Sequence, residues 1–262
     1  MNSFNTLHTF VILAFGESEY LEACIQSVMR QTVPGKMLIA TSTPNNFIAD
    51  LAAKYGIELK INNRSGTIGK DWNFGYSCAH TKYLTLVHQD DIYLSEFAEK
   101  CIRAAEHDQS RRPLIVFNKS LVYHGEREVN ISYKNILRWL FIFPFNFKRC
   151  ISSPWWKRFI LLFSNSISCP GVFYVKENLG NFRFDEQAKY ILDWKAWYEM
   201  SRGTGSFIYV PDVLHIHREH EDSATSSTNS EILYQEELRL LSDIWNNQSI
   251  PKIITALLRI AK

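Results

Sequence analysis

Two adjacent carboxylates, Asp90 and Asp91, follow an apolar run of the sequence and could hold a metal ion. Carboxylates at the end of a strand suit a hard divalent cation such as Mn²⁺ or Mg²⁺, because these ions prefer oxygen ligands. Such a cation can bind a diphosphate and neutralise the charge on a departing nucleotide. The same two residues could also form an ordinary polar turn before the next helix, and the pair alone does not separate the two interpretations.

Basic residues beside a glycine-containing loop could meet the same diphosphate. Arg64 and Lys70 flank the loop around Gly66 and Gly69, where small residues allow a ligand to approach the backbone closely. Each cation could equally be a solvated loop charge. The glycine spacing matches neither a phosphate-binding P-loop nor a dinucleotide fingerprint.

The elements that must position these residues alternate between strands and helices over the first half of the chain. We predict strands at five apolar runs, 9–15, 37–40, 57–61, 83–87 and 114–123. We predict helices between them, with Ser18 and Ser95 as N-caps. The first helix should bury a face formed by Leu21, Cys24, Ile25, Val28 and Met29.

This alternation predicts an α/β fold with right-handed crossovers and a mostly parallel sheet. Ligands bind beyond the carboxyl ends of the strands in such sheets. That rule brings four segments around one crevice: 15–17, 41–43, 62–64 and 88–91.

Length and composition fit an ordinary globular protein. The chain has 262 residues, of which 46% are hydrophobic and 21% charged, with a net charge of +2. These values predict one α/β domain over 1–262 and argue against disorder or a dedicated nucleic-acid binder. The five cysteines lack metal-ligand spacing, which predicts reduced thiols in a cytoplasmic protein. We see no secretion-signal pattern, and no apolar run approaches the ~20 residues that span a bilayer.

The composition changes between residues 129 and 164, and we interpret this stretch as an insertion. No acidic residue lies between Glu128 and Glu177, whereas tryptophans and phenylalanines alternate with seven cations: Lys134, Arg138, Lys148, Arg149, Lys157, Arg158 and Lys176. Such a segment could lie on a membrane surface, form the core of a helical subdomain, or bind single-stranded nucleic acid. We expect the membrane surface, through 133–163, and no nucleic-acid partner.

After the insertion we predict strands at 168–175 and 207–216, and helices at 193–201, 232–245 and 253–260. Asp193 begins the first of these helices, where a helix cap is a normal role for Asp.

Four segments in order resemble glycosyltransferase family 2 with its GT-A fold, over roughly residues 8–127 and 165–228. They are the opening strand with helix 19–32, the segments 66–75 and 82–91, Leu192-Asp193-Trp194, and an Arg-x-His-x-x-Ser-x-Thr element at 218–225. The resemblance implies a nucleotide-sugar-binding sheet flanked by helices. It divides the chain into a donor half (1–127), the aromatic and basic insertion (129–164), an acceptor half (165–228) and C-terminal helices (229–262).

The resemblance also implies roles for single residues. Asp193 matches the general base that takes the proton of the acceptor hydroxyl. Asp90, Asp91 and His220 should hold Mn²⁺ or Mg²⁺. The expected donor-binding residues are Phe15, Glu17, Thr41, Arg64, Lys70, Asp90 and Asp91.

Three positions depart from the family pattern. His88 stands where the metal motif usually begins with Asp, and 41–43 lacks the usual acidic residue after the second strand. The opening Pro-x-Tyr/Phe is Leu13-Ala14-Phe15. These departures leave the nucleotide open.

The expected activity is an inverting, metal-dependent transfer of a sugar from a nucleoside diphosphate-sugar to a saccharide or lipid-linked acceptor. We expect it in cell-surface polysaccharide synthesis, in the cytoplasm or peripherally on the inner face of the cell membrane. One alternative is a sugar nucleotidyltransferase, although residues 16–19 are acidic where that class has a glycine-rich basic signature. A second is a membrane-docked binding module with a decayed site. Independently of the activity, His215, His217 and His220 could form a zinc cluster instead of His220 serving the donor metal.

Overall fold

The computed structural model describes residues 7–64, 66–108, 112–125, 127–128, 140–220 and 229–260. The strands in these ranges are β1 (His8–Ala14), β2 (Lys36–Thr41), β3 (Glu58–Ile61), β4 (Tyr83–His88), β5 (Ile92–Tyr93), β6 (Pro113–His124), β7 (Arg127–Glu128), β8 (Cys150–Ile151), β9 (Phe173–Val175) and β10 (Ser206–Glu219). The helices are α1 (Leu21–Met29), α2 (Asn46–Tyr55), α3 (Ile68–Cys78), α4 (Phe97–Glu106), α5 (Pro144–Phe147), α6 (Pro154–Phe159), α7 (Lys176–Leu179), α8 (Leu192–Arg202), α9 (Ser230–Trp245) and α10 (Ser249–Ile260).

The strands form one sheet in the order β3-β2-β1-β4-β9-β6-β10-β5, with β7 beside β6 and β8 beside β10. Strands β1 to β4 are parallel, as are β6 and β10. Strand β9 lies antiparallel between the two groups. The predicted α/β fold with a mostly parallel sheet is confirmed. Because β1 to β4 run in one direction, their carboxyl ends meet at one edge, where we predicted the crevice.

Strand β1 is buried on both faces, as its continuous apolar sequence predicts. Val11 packs in one hydrophobic cluster with Leu86, whereas Phe10 and Ile12 pack in a second cluster with Val87. Successive side chains of a strand point to opposite faces, so the two clusters cover the two sides of the sheet.

Several predictions at helix ends are wrong. Met29 is 52% exposed, because it is the last residue of α1 and lies beyond the packed face. Helix α1 begins after Tyr20 and receives no side-chain cap, so Ser18 is not its N-cap. Helix α4 begins after Glu96, also without a side-chain cap, rather than after Ser95.

Helix α3 begins at Ile68, three residues before Asp71, where the sequence predicts its start, because Thr67 caps it. The Thr67 hydroxyl accepts a hydrogen bond from the backbone N–H of Lys70 at 3.3 Å. The earlier start places Asp71 inside the first turn of the helix.

The predicted strand at 168–175 is a 3₁₀ turn, Cys169–Gly171, followed by the short β9. The turn fits closely under β10, since a Cβ atom on Gly171 would lie only 2.3 Å from the ring of His215. Strand β10 and the two C-terminal helices extend beyond their predicted limits. All five cysteines are free thiols, as predicted.

The described part of the insertion, 140–164, contributes both to the core and to the surface. Strand β8 pairs antiparallel with β10, and Phe145 is fully buried. By contrast, Phe147, Trp155 and Trp156 are 86%, 58% and 41% exposed. We call these three residues, with the exposed Lys148, the aromatic patch. Residues 129–139, with the predicted Lys134, Arg138 and Trp139, lie outside the described residues.

Not every cation of this basic stretch faces solvent. Lys157 is fully buried in α6, and its Nζ donates to the carbonyls of Gly203 and Gly205, each at 2.8 Å. Burial, and then the charge of Arg112, lower the pKa of Lys157 to about 8. Lys176 similarly donates to the Tyr76 carbonyl at 2.7 Å. Backbone carbonyls therefore compensate part of a positive charge that the sequence leaves without acidic partners.

Within the described ranges, no helix has both the length and the apolar composition needed to cross a bilayer.

Candidate functional site

The ends of β1 and β4 are joined by a reciprocal pair of hydrogen bonds. The backbone N–H of Phe15 donates to Oε1 of Gln89 at 2.9 Å, and Nε2 of Gln89 donates to the Phe15 carbonyl at 3.0 Å. The Phe15 side chain is 62% exposed, and Glu17 is also exposed. Both predicted donor-binding residues therefore lie at the open edge of the sheet.

A carboxylate from α3 lies where β2 and β3 end. The Ser42 hydroxyl donates to Oδ2 of Asp71 at 2.7 Å, and Nδ2 of Asn62 donates to Oδ1 at 2.8 Å. Thr41, by contrast, is 2% exposed, and its hydroxyl accepts from the N–H of Thr43 at 3.1 Å. The side chains available at this edge are thus those of Ser42 and Asp71 rather than that of the predicted Thr41.

The predicted basic residues lie in the loop before α3 and at the start of that helix. Arg64 is exposed, and its backbone N–H donates to Oδ1 of Asn62 at 3.0 Å. Lys70 lies half-buried in the first turn of α3. Gly69 allows α3 to approach a later segment, since a Cβ atom there would lie 2.6 Å from the Asp185 carbonyl oxygen.

Asp91 is buried, and β10 provides its partners. Its Oδ1 is 2.9 Å from Nδ1 of His217 and accepts from the backbone N–H of Arg218 at 3.1 Å. Burial by itself would raise the pKa of the Asp91 carboxyl, but the charge and hydrogen bond of His217 outweigh it and lower the pKa. Asp91 is therefore held as a carboxylate.

Asp90 is partly exposed and lies among polar groups from two other segments, the loop before α1 and the end of β10. Its Oδ1 accepts from the Ser18 hydroxyl at 3.2 Å, and its Oδ2 is 3.4 Å from Nε2 of His220. The Arg218 guanidinium donates to the Asp90 carbonyl and lies 4.7 Å from the ring centroid of Tyr20. Arg218 thus fixes the backbone that carries both carboxylates.

His88 and His215 have no common role with these carboxylates. The His88 ring lies 5.1 Å from that of Trp72, and burial lowers the pKa of His88 despite the nearby Asp91. His215 is fully buried, and its Nδ1 is 2.9 Å from Oδ1 of Asn118. His215 therefore belongs to the core rather than to a zinc cluster.

The residues at the end of β4 fit a hard divalent cation. Oδ2 of Asp91 is buried and has no hydrogen-bond partner among the described residues. In the same part of the chain, no three His, Cys, Asp or Glu side chains form a ready-made metal cage. Mg²⁺ and Mn²⁺ need no such cage, because one or two carboxylates, water and substrate phosphates commonly complete their coordination.

Asp193 lies in the first turn of α8, but it is not the helix cap. The N-cap position is Ile191, and Asp193 follows it by two residues. Oδ1 of Asp193 accepts from the backbone N–H of Trp194 at 2.8 Å, and Oδ2 accepts from Nδ2 of Asn165 at 2.6 Å. The alternative that Asp193 caps a helix beginning at Trp194 is wrong, because the helix already begins at Leu192.

The buried thiol of Cys169 connects the two acidic centres. Burial first, and then the charges of Asp193 and Asp91, raise the pKa of Cys169 well above its usual value. Both carboxylates therefore lie close enough to the turn Cys169–Gly171 for their charges to influence the Cys169 thiol. Residues 221–228, which complete the predicted Arg-x-His-x-x-Ser-x-Thr element with Ser223 and Thr225, lie outside the described residues.

Sequence reasoning missed four contributors to this edge. Gln89 and Arg218 lie inside motifs that we singled out, but their roles depend on partners far along the chain. Asp71 and Asn165 carry no local signal, because each meets its partner only in the folded sheet.

The family model described as "Glycosyl transferase family 2" matches residues 9–141 of this chain. No curated protein matches its sequence. Among solved structures, the chain is similar to Staphylococcus aureus TarS 1–349 in complex with UDP-GlcNAc, at 17% identity and a TM-score of 0.65, covering 95% of this chain and 70% of that one. The TarS 1–349 complex with UDP gives 14% identity and a TM-score of 0.64 with the same coverage.

A longer TarS structure gives 14% identity and a TM-score of 0.62, and the match covers 95% of this chain and 42% of that one. At these identities the similarity establishes a common fold. The predicted GT-A-type sheet flanked by helices is thereby confirmed.

Proposed function

Since this chain belongs to glycosyltransferase family 2, we propose that it transfers a sugar, with inversion and with a divalent cation, from a nucleoside diphosphate-sugar to a saccharide or lipid-linked acceptor. The observation that carries this proposal is that Asp91, next to Asp90 at the end of β4, and Asp193, in the first turn of α8, both lie near the turn Cys169–Gly171. The charges of Asp91 and Asp193 both raise the pKa of the buried Cys169 thiol, after burial itself. The proposed donor site at Asp90 and Asp91 and the proposed acceptor site at Asp193 must lie close together, because the acceptor hydroxyl attacks the donor sugar.

The donor is a nucleoside diphosphate-sugar in this proposal. The TarS structures of the same fold contain UDP-GlcNAc and UDP, which supports a uridine nucleotide here. Phe15, at 62% exposure, offers an open aromatic face on which a base can stack. Arg64 and Lys70 flank the glycine loop, and we assign them to the donor phosphates.

Asp90 and Asp91 would hold Mn²⁺ or Mg²⁺, with His220 beside Asp90. When bound, such a cation neutralises negative charge on the departing nucleoside diphosphate. Arg218 and His217 keep the two carboxylates in place by binding the Asp90 carbonyl and Oδ1 of Asp91. The Ser18 hydroxyl donates to Oδ1 of the Asp90 carboxylate and so helps to orient that carboxylate.

Asp193 is the proposed general base. Hydrogen bonds from the backbone N–H of Trp194 and from Nδ2 of Asn165 hold the carboxylate in one orientation. An ionised carboxylate within reach of an acceptor hydroxyl takes the proton as the oxygen attacks the anomeric carbon. Attack from the face opposite the nucleotide inverts that carbon without a covalent intermediate.

The acceptor is proposed to reach the site from a membrane surface, in cell-surface polysaccharide synthesis on the inner face of the cell membrane. The support is the aromatic patch, which exposes Phe147, Trp155 and Trp156 beside Lys148. Exposed tryptophans with nearby cations suit the headgroup region of an anionic bilayer.

The test is an assay of sugar-nucleotide turnover by the intact chain. We expect release of UDP from UDP-GlcNAc or a related UDP-sugar in the presence of Mn²⁺ or Mg²⁺, and its loss when a chelator removes the cation. The chelated protein, restored by added Mn²⁺, is the matched control. If no nucleoside diphosphate-sugar is bound or turned over under any of these conditions, the proposal is wrong.

A further inference from the structure

The carboxylate of Asp71 occupies a place from which it can contact the nucleoside of the donor. It lies in the first turn of α3, yet it is held by Ser42 at the end of β2 and by Asn62 at the end of β3. The carboxyl ends of neighbouring parallel strands are where α/β sheets bind their ligands. Asp71 thus adds a negative charge to an edge where β2 and β3 themselves end without one.

The two hydrogen bonds fix the carboxylate without using its full capacity. Each oxygen accepts one of them, from Ser42 at 2.7 Å and from Asn62 at 2.8 Å. A carboxylate has about four acceptor positions, so each oxygen retains capacity for a further donor. Asp71 is half-buried, so a ligand can reach it while it remains partly shielded from water.

The segment that carries Ser42 is joined to the segment that carries an exposed aromatic ring. The loop between β1 and α1 is tied to the loop after β2, because the N–H of Gly16 donates to the Thr43 hydroxyl at 2.7 Å. Phe15, immediately before Gly16, is 62% exposed. Phe15 and Asp71 are thus carried by adjoining segments, and an exposed flat ring together with a fixed acceptor can bind a base by stacking and by one edge.

We propose that Asp71 determines nucleobase specificity, by accepting a hydrogen bond from the ring N–H of uracil. This inference rests on the proposed function and adds the base to it. Uracil carries a ring N–H at the position where cytosine carries an unprotonated acceptor nitrogen. A carboxylate attracts the first and repels the second, so the site selects uridine over cytidine nucleotides.

The experiment compares the binding of UDP and of CDP, each with Mg²⁺, by calorimetry on the intact chain. The wild-type protein should bind UDP at least about tenfold more tightly than CDP, the size expected for one hydrogen bond to a charged group. Asp71→Asn should reduce this ratio to about threefold or less, mainly through weaker UDP binding. Ser42→Ala, which keeps the carboxylate, should preserve most of the ratio. Asp50→Asn, on the exposed side of α2, is the matched control and should change nothing.

Two results would overturn the assignment. If Asp71→Asn weakens the binding of UDP and of CDP by the same factor, the carboxylate stabilises the fold or contacts the ribose, and it does not distinguish the bases. If the affinities for UDP and for CDP in Asp71→Asn both equal those of the wild type, Asp71 does not contact the nucleoside at all. Absence of binding of either nucleotide to the wild-type protein would instead overturn the proposed function, and the assignment with it.

Discussion

The side-chain amide of Asn165 donates a 2.6 Å hydrogen bond to Oδ2 of Asp193, although the residues are 28 positions apart. Asn165 follows the insertion directly, and its Oδ1 accepts from the N–H of Ile167 at 3.3 Å. The amide is therefore oriented with its N–H group towards Asp193. The segment after the insertion positions the carboxylate that we assign as the general base.

Asp193→Asn should lower the turnover number about a hundredfold or more, because the amide cannot take the acceptor proton. The dissociation constant for UDP should change less than about twofold. Steady-state kinetics and calorimetry on the same preparation would measure both. A variant that loses UDP affinity but turns over bound donor normally would place Asp193 in the donor site.

Asn165→Ala should lower the turnover number about tenfold without altering UDP affinity, because Asp193 loses one of the hydrogen bonds that orient it. Asn165→Ser shortens the donor and should be intermediate. Asn178→Ala is a matched control, since Asn178 donates to the Pro113 carbonyl instead. Equal losses in the Asn165 and Asn178 variants would indicate a general loss of stability.

Asp90→Asn should remove most activity and weaken UDP binding in the presence of Mn²⁺, because it removes one ligand charge for the cation. Without a cation, UDP binding should be similar in the variant and the wild type. The fold should persist, since Asp90 is partly exposed, and circular dichroism would check this. Full activity of Asp90→Asn, or activity that resists a chelator, would contradict the assigned metal role.

The aromatic patch should bind anionic vesicles reversibly, with less binding at high salt, because each nearby cation contributes about 1 kcal/mol at an anionic surface. Co-sedimentation would compare the wild type with Phe147→Ser, Trp155→Ser, Trp156→Ser and Lys148→Glu combined. Lys157 must remain unchanged, since its buried ammonium binds two carbonyls.

The matched control for this test combines Met29→Ser with Arg30→Glu, which removes an exposed apolar side chain and an exposed cation at the end of α1. The control should bind vesicles as the wild type does. Equal binding of the wild type to neutral and anionic vesicles, or binding to neither, would exclude an electrostatic membrane surface.

The protein should lose stability as the pH falls below 6.5, partly through His8. Burial lowers the pKa of His8 from 6.5 to about 3, so between these values the unfolded chain binds a proton that the folded chain does not. The free energy of unfolding then falls by about 1.4 kcal/mol per pH unit from this residue alone. His8→Gln, which keeps a hydrogen-bonding group near Thr85, should show a correspondingly shallower slope in urea denaturation between pH 6.5 and 5. An unchanged slope would show that His8 is protonated equally in both states.

The sequence by itself determined the parallel half of the sheet and the location of its ligand edge. Apolar runs such as 9–15 and 83–87 are long enough to specify buried strands, and alternating helices fix their parallel direction. The position of Asp90 and Asp91 at this edge follows from that topology alone. Family resemblance added Asp193 and the end of β10.

Only the tertiary structure decided how the side chains at this edge are used. Ser18 turns to Asp90 instead of capping α1, and Asp71 reaches β2 and β3 from a helix. Lys157 is buried although its neighbours Trp155 and Trp156 are exposed. A local preference such as a helix cap is worth about 1 kcal/mol. Contacts between segments that are distant in the sequence can therefore override it. Short stretches of sequence carry no information about those contacts.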